Sequence, residues 1–300
     1  MKAMVLAAGL GTRLRPLTNL VAKPAIPVGP QTLIEWILMH LVSHGVDEVV
    51  LNLHHLPETI RRAVRDGRHL GVRVAYTEEA TILGTGGGLA NAARHFAGER
   101  DLLMVNGDSL CDFDLRAAVA FHRDKRALAT MLLMPARPGF SAVEVKDGLV
   151  KRIAGRPESG ASGDAYMFTG VHVISGRLLD HLPPGPSEIN REIYPSLIAT
   201  GERIAGCVAS GSWYELGDPG SYLRNARHFL GLRGALTGGN VLGTGAAIED
   251  GARVTDSILW DGVQVVDGAR VERCIITSGV RVSGGLHKDQ IIMDDRVLTL

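Results

Sequence analysis

The hydrophobic and polar positions of the first two-thirds of the chain follow two alternating periods. Short apolar runs, such as those ending at Leu6 and at residue 53, predict buried strands. Between such runs, apolar residues recur at helical spacing, as at residues 32–45 and 57–71, and the first of these segments ends in Gly45, a typical helix C-cap. The alternation predicts an α/β domain with a mixed, mostly parallel sheet and helices on both faces.

The pattern changes twice further along the chain. From residue 127, short strand candidates follow one another with little helix between them, which predicts an extension of the sheet. After residue 232, helical periodicity disappears, and residues 254–268 repeat as residues 271–285 at an offset of 17. An offset close to three hexapeptides predicts a short left-handed β-helix at 233–300, behind a domain at 1–232. An irregular β-meander is the alternative.

Composition restricts the possible partners. The chain has 300 residues, and its 32 Lys and Arg balance its 32 Asp and Glu. A net charge of zero argues against a general attraction to nucleic acid or to an anionic membrane. The three cysteines lack metal-type or disulfide spacing, which predicts reduced thiols in a cytoplasmic protein. No apolar run is long enough to predict a signal peptide or a membrane span.

The loop "LAAGLGTRLRPLT" at residues 6–18 directly follows a predicted strand. Its small residues would let the backbone approach a phosphate chain, and Arg13 and Arg15 would supply positive charge. A dinucleotide fingerprint needs a third glycine where Leu14 stands, and no P-loop run occurs in the chain. The loop therefore predicts either a different kind of phosphate site or an ordinary turn with solvated cations.

Three further segments carry candidate chemistry. The glycine cluster at residues 83–88 is either a flexible turn or a second wall of the same crevice. An apolar strand runs into Asn106-Gly107-Asp108, where the carboxylate is either a ligand for Mg²⁺ or a turn or helix cap. Glu215 lies at the centre of "GSWYELGDP" and is either a second metal ligand or a solvent-facing strand end.

In this order the motifs resemble those of the sugar-1-phosphate nucleotidylyltransferases. The shared patterns are G-x-G-T-R-x-R-P-L-T, Lys-Pro, L-G-T-x-G, N-G-D and W-x-x-x-G-x-P, spread over residues 1 to about 230. The resemblance implies a Rossmann-like catalytic domain and Mg²⁺-dependent transfer of a nucleoside monophosphate from an NTP to a sugar 1-phosphate. The tail resembles that of the mannose-1-phosphate guanylyltransferases, whereas "TGGG" and "FTG" resemble the muramate-type uridylyltransferases.

The same resemblance implies three groups of site residues. The nucleotide would contact Leu6, Ala7, Ala8, Gly9, Gly11, Thr12, Arg13, Lys23, Glu79, Gly84, Thr85, Gly86 and Gly87. The sugar phosphate would contact Asn106, Arg156, Thr169, Gly170 and Glu188. Mg²⁺ would bind Asp108 and Glu215, and Arg13, Lys23 and Asp108 would be the catalytic groups.

Two residues depart from the family pattern. Glu215 replaces an aspartate, and its extra methylene moves a carboxylate that Mg²⁺ needs in good geometry. Arg156 replaces a lysine that contacts the sugar phosphate, and arginine is not equivalent to lysine there.

GTP with mannose 1-phosphate is the first expectation for the substrates, and UTP is the alternative nucleotide. A non-catalytic subunit that senses nucleotide sugars is a second alternative, favoured by Glu215. A hexapeptide-repeat acyltransferase is disfavoured, because the tail offers only His287 as a catalytic base. The exposed apolar coils of the tail predict a homo-oligomer.

Overall fold

The computed structural model describes residues 1–158 and 163–300, and a nine-stranded mixed sheet forms its centre. In chain order, the strands before the tail are β1 (Lys2–Leu6), β2 (Pro27–Val28), β3 (Gln31–Thr32), β4 (Glu48–Leu53), β5 (Arg73–Glu78), β6 (Asp101–Asn106), β7 (Ser109–Cys111), β8 (Ala129–Pro135), β9 (Ala142–Lys146), β10 (Leu149–Ile153), β11 (Asp164–Ser175), β12 (Ile204–Val208) and β13 (Trp213–Glu215). The central sheet has the order β5-β4-β1-β6-β11-β8-β12-β10-β9. Its first four strands are parallel, and β11 runs antiparallel to both neighbours.

Helices cover both faces of this sheet, as the sequence predicts. They are α1 (Leu33–Ser43), α2 (Pro57–Val64), α3 (Gly84–Ala92), α4 (Leu115–Lys125), α5 (Tyr194–Ala199) and α6 (Pro219–Gly231). Buried residues of α1, α2, α4 and α6 share one core, and those of α3 and α5 share the core on the opposite face. No helix in the described part of the chain has the length and apolarity needed to cross a bilayer.

The order of the parallel strands places a crevice at the end of β1. The chain proceeds from β1 to β4 and β5 on one side and then returns to β6 on the other side. Leu6 and Asn106 are paired in register at the last positions of β1 and β6, and the Gly107 N–H donates to the Leu6 carbonyl at 2.9 Å. Open α/β sheets bind ligands at such a switch point, beyond the carboxyl ends of the strands.

Two helices differ from the sequence prediction. The apolar periodicity extends to residue 71, but α2 ends at Val64 because Arg65 adopts a left-handed backbone with φ 54°. The glycine cluster at residues 83–88 is helical instead of a loop, since α3 begins at Gly84. The N–H groups of Gly86 and Gly87 donate to the Ser187 carbonyl at 2.9 and 3.3 Å, so tertiary contacts outweigh the low helix propensity of glycine there.

The tail forms three faces of short parallel strands, and the predicted left-handed β-helix is confirmed. Its strands are β14 (Val241–Leu242), β15 (Ala247–Ile248), β16 (Arg253–Thr255), β17 (Ile258–Leu259), β18 (Gln264–Val265), β19 (Ala269–Glu272), β20 (Ile275–Ile276), β21 (Arg281–Val282), β22 (Gly285–Lys288), β23 (Gln290–Ile292) and β24 (Val297–Thr299). The residues that match at an offset of 17 in the sequence are direct ladder partners, as in Val254 with Val271.

One face of the coil docks on the main domain and extends its core. Val241, Ile258, Trp260 and Ile275 belong to the same buried cluster as α1 and α6. The Trp260 indole is 2% exposed, and its Nε1–H donates to the Tyr222 hydroxyl of α6 at 3.0 Å. That hydroxyl in turn donates to the Pro27 carbonyl. The tail therefore contacts both α6 and the segment at β2.

Candidate active site

The crevice beyond β1 and β6 has a volume of about 360 Å³, and the loop after β1 forms its first wall. Gly11 has φ 61°, and a Cβ at this position would lie 2.9 Å from Thr18 Cγ2, so the turn requires glycine. A Cβ added at Gly9 would meet no atom within 4 Å, because this glycine faces the open crevice. The backbone at Gly9 is therefore accessible to a ligand at close range.

A buried hydrogen-bond network fixes this loop to the next strands. Asn52, near the end of β4, accepts from the Ala7 N–H at 2.8 Å and donates through Nδ2 to Glu79 Oε1 at 2.7 Å. Glu79 Oε2 accepts from the Leu83 N–H at 2.9 Å. Asn52 is 2% exposed and Glu79 is 4% exposed. Both carboxylate oxygens are satisfied, as a buried charge requires.

The N-terminus of α3 forms a second wall with the segment before the π-helical turn Ile189–Ile193. Thr85 Oγ1 donates to Glu188 Oε2 at 2.9 Å, and the same hydroxyl accepts from the Ile189 N–H at 2.8 Å. Gly84, Thr85 and Glu188 line the crevice. Glu188 therefore lies next to the nucleotide wall that the sequence places around residues 84–87.

Two cations line the third wall, and each is paired with a carboxylate. β7 pairs with β13 so that Glu215 lies opposite Ser109, and the Leu216 N–H donates to the Asp108 carbonyl at 3.3 Å. Lys23 Nζ lies 3.0 Å from Asp108 Oδ2, and Arg13 NH2 lies 2.9 Å from Glu215 Oε1. Lys23 is 7% exposed, so its charge is neutralised mainly by this pair.

This arrangement fits a hard divalent cation that also binds a ligand. Mg²⁺ prefers one or two protein carboxylates and takes its other oxygens from phosphates and water. In the described ranges, no group of three or more His, Cys, Asp and Glu side chains could enclose a metal. Glu215 Oε1 would lie 2.8 Å from a Cβ at residue 217, so Gly217 leaves the room that the longer glutamate occupies.

Most of the sequence-predicted site residues lie together in the crevice. Its lining includes Leu6, Ala7, Ala8, Gly9, Gly11, Thr12, Arg13, Lys23, Glu79, Gly84, Thr85, Asn106, Asp108 and Glu188. Glu215 is joined to the crevice through Arg13. Arg15 does not line it.

Five predicted residues have other surroundings. Gly86 and Gly87 are buried against residues 185–187 and do not line the crevice. Gly170 lies behind Asn106, and the buried Thr169 hydroxyl donates to the Leu132 carbonyl at 2.8 Å. Arg156 is exposed at a turn after β10 and lies outside the crevice lining. The predicted contact of Arg156, Thr169 and Gly170 with a sugar phosphate stays a prediction.

The sequence analysis missed several lining residues, of which Asn52 is the most informative. Asn52, Pro24, Ile82, Gly107 and Gly217 also line the crevice. A signal for Asn52 was present, because it is the one polar residue within the apolar run "VVLNL". A buried polar group needs a partner, but the sequence does not identify Glu79 as that partner.

Nucleophilic catalysis by the nearby cysteine is disfavoured. Cys111 lies on β7, and burial raises the pKa of its thiol to about 12. The thiolate is the nucleophilic form, so this cysteine is inert at neutral pH. His54 and His55 bond to the carbonyls of Glu79 and Thr18 at 2.8 Å each, which are structural contacts.

Comparison with known protein families identifies both parts of the chain. Residues 2–230 match the nucleotidyl transferase family, and residues 231–294 match a GlmU-like C-terminal hexapeptide family.

Two named relatives have similar sequences. The chain is 31% identical over 246 residues to UTP–glucose-1-phosphate uridylyltransferase from Synechocystis sp., covering 77% of this chain and 63% of that protein's length. It is 30% identical over 283 residues to mannose-1-phosphate guanylyltransferase from Mycobacterium tuberculosis, covering 84% of this chain and 77% of that protein.

A solved structure shares the fold. HddC from Yersinia pseudotuberculosis matches with a TM-score of 0.65 at 20% identity, covering 76% of this chain and 99% of that chain.

Proposed function

Because this chain belongs to the nucleotidyl transferase family, we propose that it transfers a nucleoside monophosphate from an NTP to a sugar 1-phosphate. The observation that carries the proposal is that two cations, Arg13 and Lys23, line one crevice, and that each is paired with a carboxylate, Glu215 and Asp108 respectively. Two phosphorylated substrates repel each other, so the reaction needs cations at their meeting point. The carboxylates keep those cations paired when no phosphate is bound.

The reaction exchanges one phosphoanhydride bond for another. An oxygen of the sugar 1-phosphate attacks the α-phosphorus of the NTP, the bond from that phosphorus to its bridging oxygen breaks, and pyrophosphate leaves. Arg13 and Lys23 bind the phosphate oxygens and hold the two groups in line, which reduces their repulsion. Positioning and electrostatic stabilisation suffice for this chemistry, so a protein nucleophile is not required.

We propose Mg²⁺ as the cofactor and Asp108 and Glu215 as its protein ligands. When bound, the cation neutralises phosphate charge and polarises the phosphoryl oxygens. Asp108 and Glu215 would hold the cation, and Lys23 and Arg13, which pair with them in the structure, would lie beside it to bind the phosphates. Gly217 supports this assignment, because it leaves space for a glutamate where the family has an aspartate.

For the substrate pair, we propose GTP and mannose 1-phosphate or a related manno-sugar. The guanylyltransferase relative aligns over more of this chain, including part of the tail. UTP is the alternative nucleotide, because the uridylyltransferase relative has similar identity.

The experiment is a panel of pyrophosphate-release assays with Mg²⁺. GTP, UTP, ATP, CTP and dTTP are each paired with the 1-phosphates of mannose, glucose, N-acetylglucosamine and a muramate-type sugar. Activity confined to GTP and a manno-sugar supports the full proposal, and activity confined to a UTP pair replaces the substrate part. Silence across the panel, from folded protein that still binds a nucleotide sugar, favours the sensing subunit instead.

A matched pair of variants tests the site. Arg13→Ala removes a crevice cation, whereas Arg15→Ala removes an exposed arginine outside the lining. We expect the first to lower kcat/KM by about 10²–10³-fold, the range seen for losing one charge-stabilising donor, and the second to change it little. Glu215→Asp should retain activity and shift its Mg²⁺ dependence. Equal losses in the two arginine variants would contradict the assignment.

We also propose that residues 1–232 act as the catalytic domain and that residues 233–300 join copies of the chain. Leu286, Val297 and Leu298 are exposed on the tail, although another face of the coil is already covered by the main domain. Light scattering on the full chain and on a variant with Leu286 and Leu298 changed to Ser gives the oligomeric state. A monomeric full chain would overturn this part.

A further inference from the structure

A second cavity, of about 320 Å³, lies at the opposite end of the central strands from the crevice. It is located where β6 begins and the antiparallel β11 ends, so the length of β6 separates it from Asp108. Four arginines from separate segments line this cavity: Arg100 before β6, Arg123 and Arg126 at the end of α4, and Arg177 after β11. We call this group the arginine cavity.

The two carboxylates of the arginine cavity are already paired. The buried Asp101 accepts from Arg123 Nε at 2.7 Å and lies 3.7 Å from Arg100 Nε. Glu99 lies 3.7 Å from Lys2 Nζ. Among residues 1–158 and 163–300, no acidic oxygen lies within 4.0 Å of the guanidinium nitrogens of Arg126 or Arg177. The cavity therefore has an excess of positive charge without a protein partner.

The end of α4 is satisfied without the Arg126 side chain. The φ of Arg126 is 49°, a left-handed conformation that glycine or asparagine usually takes at the end of a helix. The last carbonyls of α4 already accept from the N–H groups of Arg126 and Ala127 and from Arg203 Nε. The Arg126 side chain is thus not needed to cap the helix, and its guanidinium can bind a ligand in the cavity that it lines.

We propose that the arginine cavity binds a small molecule through a phosphate group. A guanidinium presents a planar pair of donors that matches phosphate oxygens, and two unpaired guanidiniums suit a dianion. The volume is at the lower end of small-molecule sites, which leaves room for a phosphate with a sugar-sized group. Inorganic phosphate and a phosphorylated sugar share this chemistry, and the experiment separates them.

Arginine modification tests the site residue by residue. The full chain is treated with phenylglyoxal in EDTA, alone or with inorganic phosphate or glucose 6-phosphate, and each arginine is quantified by peptide mass spectrometry. We expect several-fold slower modification of Arg126 and Arg177 with at least one probe. Protection by both probes assigns the site to the phosphate group alone, and protection by glucose 6-phosphate only assigns it to a sugar phosphate.

The chain offers a matched control for Arg126. Arg65 is also exposed, also follows a helix and also has a positive φ, of 54°, although its ψ of −124° differs from that of Arg126. Arg126→Asn keeps a residue suited to that backbone, so folding is preserved, and it should abolish protection of Arg177. Arg65→Asn should leave that protection intact. Three results would each overturn the proposal. The first is that neither probe protects Arg126 and Arg177, and the second is that Arg65 is protected to the same extent. The third is that Arg177 is still protected in Arg126→Asn.

Discussion

Asn52 joins three segments of the crevice, so its removal tests whether the buried network organises the nucleotide wall. In Asn52→Ala the Ala7 N–H loses its acceptor and Glu79 loses one of its two donors. A lost hydrogen bond to a buried charge costs about 1.5–3 kcal/mol, and an unsatisfied buried N–H costs about 1–3 kcal/mol. We therefore expect the free energy of unfolding to fall by about 3–5 kcal/mol.

Urea unfolding of Asn52→Ala and of a matched control measures this loss. Asn91 is an exposed asparagine whose Nδ2 donates to the Glu78 carbonyl at 3.2 Å, and Asn91→Ala should cost less than about 1 kcal/mol. The KM for the nucleotide should rise in Asn52→Ala and stay unchanged in Asn91→Ala, because only the former releases the loop at residues 7–12.

A double-mutant cycle isolates the pair. Asn52→Ala and Glu79→Gln should cost less together than the sum of the two single changes, with a coupling of about 1–2 kcal/mol. Asn52→Ser keeps a smaller polar group and provides a folded variant if the alanine variant does not fold. A loss in Asn52→Ala within 1 kcal/mol of the Asn91→Ala loss would refute the reasoning.

Three further predictions concern the rest of the molecule. Trp260→Phe removes the hydrogen bond to Tyr222 and part of the buried ring, so urea unfolding should show that the free energy of unfolding falls by about 1–2 kcal/mol. An unchanged midpoint would show that this contact does not stabilise the docked tail. Burial lowers the pKa of His172 to about 3, whereas the unfolded chain takes up this proton near pH 6.5. His172 should therefore account for about 2 kcal/mol of the stability lost from pH 7 to pH 5, and the loss should be smaller in His172→Phe. Equal losses in both proteins would be inconsistent with this. Cys111 should react with iodoacetamide at pH 7.5 far more slowly than in urea-unfolded protein, and equal rates would contradict its raised pKa.

The sequence predicts the parts of this fold that depend on local pattern. Runs of apolar residues locate β1 and β6, and Asp108 follows directly from the end of β6 at the switch point. The repeat of 17 residues predicts the pairing of Val254 with Val271, because parallel coils stack equivalent positions. In both cases a pattern that is visible in the sequence, an apolar run or a repeat, determines where each side chain lies.

Other features depend on contacts between distant residues and were not predictable. Arg13 and Glu215 are 202 positions apart, and no local signal indicates that they form a pair. The glycines at the start of α3 favour a loop by propensity, yet packing against Ser187 makes them helical. Arg156 stands where the family pattern has a lysine, and its exposed turn lies outside the crevice lining.

The hydroxyl of Tyr222 has a thermodynamic consequence for the whole chain. It bonds on one side to Trp260 of the tail and on the other to Pro27, four residues after the crevice lysine Lys23. Linkage between two binding events is reciprocal. If a nucleotide that contacts Lys23 stabilises the docked tail, then docking of the tail stabilises the bound nucleotide by the same free energy. Loss of the Trp260–Tyr222 bond would then weaken the proposed nucleotide binding as well as the docking of the tail.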